Sequence, residues 1–117
     1  MVKVYDIYVS GGMTGLPDMN REKFNRVADL LRKVGLTVFN PAEIKGDEHW
    51  DWSDFMREAI RGQMQCHAIF LLEGHEHSKG ATVELELARQ LDMPVFNERI
   101  IFENDWDHRL YQEYGEY

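Results

Sequence analysis

Three clusters in the chain combine residue types that could do chemistry. In Ser78-Lys79-Gly80-Ala81-Thr82-Val83-Glu84, a hydroxyl and a run of backbone amides precede a helical pattern. Such a start suits a phosphate or another small anion, because free amides and the helix dipole both favour negative charge. Glu84 falls about one turn further on, one residue off the apolar stripe of Ala81, Leu85 and Ala88. That spacing puts its carboxylate at the edge of the core or on an exposed face, as for Glu86. The second cluster, Ser10-Gly11-Gly12-Met13-Thr14-Gly15, nearly matches the dinucleotide-binding fingerprint. However, Ser10 stands at the first glycine position, and Asn40-Pro41 stands where a ribose-binding acid belongs. The glycines either bring backbone close to a ligand or simply turn the chain. The third, Gly74-His75-Glu76-His77-Ser78-Lys79-Gly80, has its lysine before the glycine, the wrong order for an ATP-binding loop. His75 and His77, with Glu76 between them, could ligate a metal, but alternating histidines also occur on solvated loops and no third ligand is indicated, so no metal is expected.

The elements that must position these clusters alternate. Residues 2–9 are β-rich and nearly alternating, which predicts a strand ending in the first cluster. Asn20 or Asp18 is placed to cap a helix running to about Val34, with Phe24, Val27, Ala28 and Leu31 inward and Gly35 as its stop. Residues 36–39 predict a short strand, residues 42–50 an acidic loop, and residues 53–65 a second helix with Phe55, Met56, Ala59, Ile60 and Met64 inward. A central buried strand follows at 67–72, a loop at 74–80, a third helix at 81–91, a strand at 94–97 and a last helix within 104–114. This order predicts a flavodoxin- or Rossmann-like, doubly wound parallel sheet of four to five strands with helices on both faces. Ligands of such sheets bind at the carboxyl ends of the strands, where the loops 10–15, 40–52 and 74–80 should meet.

Composition narrows the classes. The 117 residues, with 44% hydrophobic and 12% aromatic content, suit one globular domain. No apolar run approaches the ~20 residues of a membrane span, and the N-terminus lacks the long apolar stretch of a signal peptide. One cysteine, Cys66, leaves no internal disulfide, and a cytoplasmic setting is expected. A net charge of −8 disfavours nucleic acid as a partner, since a phosphate backbone needs basic surface. Residues 98–117 hold six acids and two arginines along with Phe102, Trp106, Tyr111, Tyr114 and Tyr117. An acidic tail with this much aromatic area is expected to dock, on residues 1–97 or on a neighbouring subunit.

Tyr8-Val9-Ser10-Gly11, then Ser78-Lys79-Gly80-x-x-x-Glu84-Leu85, Ala88 and Pro94-Val95, taken in order over residues 3–97, resemble the nucleoside 2-deoxyribosyltransferase family. The nearest part of that superfamily is the nucleoside 5′-monophosphate N-glycosidases. A phage and bacterial branch of small domains has a very similar opening to Ser10-Gly11-Gly12-Met13-Thr14-Gly15-Leu16-Pro17. The resemblance implies cleavage of the bond between a (deoxy)ribose and its base. Glu84 would attack C1′ in the manner of a retaining glycosidase, and water or a second base would resolve the glycosyl-enzyme. Tyr8 would orient Glu84. Ser78, Lys79 and Gly80, with Ser10, Gly11 and Gly12, would cradle the 5′-phosphate. Asn40, Glu43, Trp50 and Trp52 would contact base or sugar, the tryptophans by stacking or simply as packing. No cofactor is implied, the partner is a small nucleotide or nucleoside, and a homo-oligomer is expected. Three positions depart from relatives: Ala59 replaces an aspartate that binds sugar and helps the base leave, Gly12 replaces a small polar residue or proline, and Thr14 replaces an arginine. Glu58 points away around the helix, which leaves Asp54, His75 or His77 as candidate acids. Ala59 therefore keeps open a nucleotide-binding module without catalysis, and the tail keeps open an interaction protein with no small ligand.

Overall fold

The computed structural model describes residues 4–98. The docking expected of the tail and the helix expected within 104–114 lie outside the described residues. Strands β1 (Tyr5–Ser10), β2 (Val38–Phe39), β3 (Cys66–Leu71) and β4 (Val95–Asn97) pair in parallel in the order β2-β1-β3-β4. Helices α1 (Arg21–Lys33), α2 (Trp52–Gln63) and α3 (Lys79–Gln90) connect them. This is the flavodoxin-like doubly wound arrangement, with four strands among the described residues.

Side-chain alternation along β1 explains the layers. Ile7 and Val9 face α1, where they pack with Phe24, Val27, Ala28 and Leu31. Tyr8 faces the other side, in a second cluster with Ala59 of α2 and Ala88 of α3. β3 is buried on both faces, with Ala68 and Phe70, and Leu72 just after it, toward α1, and Ile69 and Leu71 toward α2 and α3. That two-sided burial is why its sequence reads as continuous apolar residues. Gly62 on α2 sits where the Phe39 ring presses in, so that a methyl group there would overlap the ring.

Helix starts differ from the sequence expectation by one or two residues, each for a local reason. α2 begins at Trp52 because Asp51 and Asp54 form a reciprocal capping box, each side chain accepting the other's amide at 2.9 and 3.0 Å. α3 begins at Lys79 because Ser78 Oγ accepts the Ala81 amide at 3.1 Å. Asn20 does occupy the cap position of α1, but with a left-handed backbone and no side-chain cap bond. Its Nδ2 donates instead to the Gly12 carbonyl at 3.0 Å, while Asp18 pairs with Arg21. α1 ends as expected: Gly35 adopts φ +96°, and the amides of Gly35 and Leu36 return to Arg32 and Leu31.

Candidate active site

Two residues apart on one strand, Tyr8 and Ser10 share a face, and both hydroxyls converge on Glu84. Tyr8 donates to Glu84 Oε2 at 2.6 Å and Ser10 Oγ donates to Oε1 at 2.7 Å. Glu84 as a whole is 5% exposed. Burial pushes its pKa up from the ordinary 4.5 to about 7, against the downward pull of the Tyr8 and Ser10 hydrogen bonds. Burial also raises the Tyr8 phenol well above its usual range, reinforced by the Glu84 charge and hydrogen bond. Tyr8 therefore stays a donor at neutral pH, while Glu84 exchanges its proton there. Each carboxylate oxygen can accept a further bond.

Glu84 borders a small hollow of about 30 Å³ walled by Met13, Thr14, Phe55, Met56, Ser78 and Gly80, room for about one or two waters. Met13, Thr14, Ser78 and Gly80 also wall a cleft of about 510 Å³ lined further by Gly12, Leu16, Asn20, Glu73, Gly74, His77 and Lys79. The inner hollow and the outer cleft thus share a wall, with the N-terminus of α3 facing both. Lys79 Nζ lies 4.1 Å over the Trp52 ring, so a cation and a half-open aromatic face stand together on adjoining helix starts.

The structure gathers Tyr8, Ser10 and Glu84 in one hydrogen-bonded group, and Gly12, Ser78, Lys79 and Gly80 around the outer cleft. Other expected contacts are engaged elsewhere. Ser10, expected in the phosphate cradle, is fully buried and bonded to Glu84. Gly11 makes room for Leu72, whose Cβ would lie 2.8 Å from an added methyl, so its missing side chain serves the core. Asn40 is buried and holds Asn25 and the Ala42 amide, capping the turn Pro41–Glu43. Glu43 forms a two-pronged ion pair with Arg32 at 3.0 Å. Trp50 lies against Gly46. Asp54 serves the α2 cap, and Ala59 is fully buried in the core. His77 lines the outer cleft, whereas His75 borders cavities beside β4. Among the described residues no group of three or more His, Cys, Asp or Glu could hold a metal.

Gln63 was missed. It is fully buried, and its Nε2 donates 2.8 Å to the backbone carbonyl of Glu84, tying α2 to the helix turn that carries the carboxylate. The available signal was a polar residue four positions after Ala59, on the same inward stripe. Ser10 carried a similar signal, since Tyr8-x-Ser10 on a strand places two hydroxyls on one face.

No helix among the described residues is long and apolar enough to cross a membrane. None of the curated proteins matches the chain. A family model does match residues 5–97, all four strands of the described sheet and the whole of the hydroxyl–carboxylate group, and the chain therefore belongs to the family described as a domain of unknown function, DUF4406.

Proposed function

We propose that this protein cleaves, or exchanges the base across, the N-glycosidic bond of a (deoxy)nucleoside 5′-monophosphate. The observation that carries the reading is a buried glutamate held by two hydroxyls beside a hollow that adjoins a helix N-terminus. The Glu84 carboxylate attacks C1′ of the sugar, the C1′–N bond breaks with its electron pair going to the base, and water or a second base then displaces Glu84. Tyr8 and Ser10 fix the orientation of the carboxylate. Partial protonation near pH 7 makes activity rise with pH through that value, because only the carboxylate attacks. The 5′-phosphate takes the outer cleft at Ser78, Lys79 and the first amides of α3. For the sugar to reach Glu84, the flexible Met13 and Met56 side chains swing out of the inner hollow. The leaving base takes its proton from solvent. The reading carries with it a cytoplasmic setting, consistent with the single buried thiol, a homo-oligomeric state and no cofactor.

Ala59 favours a second reading, a nucleotide-binding module without turnover. It is fully buried in the same apolar cluster as Tyr8 and Ile69, so this position of α2 presents no carboxylate to a sugar or a leaving base. One experiment separates the two. The protein and its Glu84→Gln variant are incubated with each deoxynucleoside 5′-monophosphate, free base is followed by chromatography, and thermal melting is recorded with the same ligands. Base release that disappears in the variant supports the glycosidase. Stabilisation without release supports the binding module, and neither effect overturns both.

A further inference from the structure

Residues 73–77 form one wall of the outer cleft through Glu73, Gly74 and His77. Among the described residues, a second hollow of about 200 Å³ is bordered by the same loop through Glu73 to Glu76, together with Asn97 and Glu98. With a hollow and a cleft both bordered by it, the loop has little apolar packing among the described residues to fix where it stands. Its internal turns, His75 to Leu72, His77 to Gly74 and Ser78 to His75, give it shape without anchoring it.

The anchors lie at its start. The Leu72 amide donates to the Ser10 carbonyl at 2.8 Å, extending β1. On the other side, the β3–β4 ladder closes with Leu71 opposite Asn97. One residue later a side chain takes over from the ladder: Glu98 Oε1 accepts the Glu73 amide at 2.9 Å. The same oxygen lies 3.0 Å from Lys23 Nζ on α1, with the glutamate side chain 4% exposed and the lysine 27%. Both of these bonds fall on a single oxygen, and among the described residues the buried Glu98 Oε2 has no hydrogen-bond partner.

We propose that Glu98 is a positioning residue for the cleft: paired with Lys23, its carboxylate pins the Glu73 amide and so sets the loop 73–77 against the outer cleft instead of the second hollow. α1, the end of β4 and the loop after β3 then move as one unit. A charge-assisted bond to the amide is stronger than a neutral one, and Lys23 Nζ at 3.0 Å holds the same carboxylate oxygen from the side of α1.

The test reads amide hydrogen exchange by NMR in the full chain, with Glu98→Ala and Glu98→Gln. Glu98→Ala removes both bonds, and exchange at Glu73, His75, His77 and Ser78 should accelerate roughly tenfold or more relative to Val27 and Ala28 in α1, the size of one lost charge-assisted hydrogen bond. Glu98→Gln keeps a carbonyl oxygen for the Glu73 amide, so it should restore most of the protection and remains readable if the alanine variant folds poorly. Unchanged loop exchange in both variants, or equal acceleration in loop and α1, overturns the proposal. A second arm, which rests on the proposed function, titrates each protein with the four deoxynucleoside 5′-monophosphates by calorimetry. Binding should weaken roughly tenfold in Glu98→Ala and recover in Glu98→Gln. If the wild type binds none of them, the functional reading fails while the exchange arm still decides the clamp. A loosened loop with unchanged nucleotide affinity overturns the claim that the clamp shapes the cleft.

Discussion

Replacing Glu84 by glutamine should change how stability depends on pH, with a sign and size set by the site. The folded carboxyl holds its proton up to about pH 7, whereas the unfolded chain releases it near 4.5. Between these values the native state binds the extra proton, so the contribution of this group to stability is fully present below pH 4.5 and is lost as pH rises through 7. A displacement of this size corresponds to about 3 kcal/mol. Glutamine keeps the shape and does not titrate, and the Tyr8 phenol, whose pKa burial raises first and the Glu84 charge second, stays protonated over this range in both proteins. Urea unfolding of wild type and Glu84→Gln from pH 4.5 to pH 8.5 should therefore diverge, the variant gaining about 3 kcal/mol relative to wild type across the range. Carbon-13 NMR of the Glu84 carboxyl supplies the midpoint independently, and removing the Tyr8 hydroxyl with Tyr8→Phe should move that midpoint further up, since that bond favours the ionised form. A midpoint near 4.5, or parallel stability curves, would refute the argument that burial outweighs the two hydroxyl bonds.

Two other substitutions test neighbouring links. Ser78→Ala removes the N-cap of α3 and should cost about 1 kcal/mol in urea unfolding, whereas Ser78→Asp keeps the cap but places a negative charge at the outer cleft. Under the phosphate reading, Ser78→Asp should melt like wild type without ligand and lose stabilisation by deoxynucleoside 5′-monophosphates. Gly62→Ala sets a helix-propensity gain of about 1 kcal/mol against overlap with the Phe39 ring, and overpacking at about 3 kcal/mol should win. Because Phe39 stacks on Tyr8 at 5.7 Å between ring centres, the same variant should also shift the Glu84 midpoint. A stabilised Gly62→Ala would show that the ring yields freely.

Most of the architecture was legible in the chain because each element announces itself locally. Alternation in residues 4–9, the helical stripe from Phe24 to Leu31, Gly35 after it and the apolar run before Gly74 identify the elements without reference to one another. Their β-α-β-α-β-α-β order then leaves few arrangements other than a parallel sheet. Boundaries slipped where caps decide them. Asp51 and Ser78 start α2 and α3 slightly early, and the left-handed turn at Asp18, Met19 and Asn20 has no signature among three non-glycine residues. The candidate nucleophile was readable from its spacing and its resemblance, but its surroundings were not. Asn40 and Glu43 follow β2 and Asp54 lies in the first turn of α2, all at the right end of the sheet, yet nearby backbone amides and Arg32 occupy them first.

What the sequence determined by itself is therefore what depends on near neighbours in the chain: the periods of strand and helix, the turns, and the position of Glu84 one turn into α3. What the tertiary structure decided is what depends on distant segments meeting. Tyr8 and Ser10 lie 76 and 74 residues from Glu84, Gln63 reaches it from α2, and Lys23, Glu73 and Glu98 join three elements at one carboxylate oxygen. The titration of Glu84 belongs to this second group, because a carboxyl rises to about 7 only where the packed sheet and helices have taken water away from it.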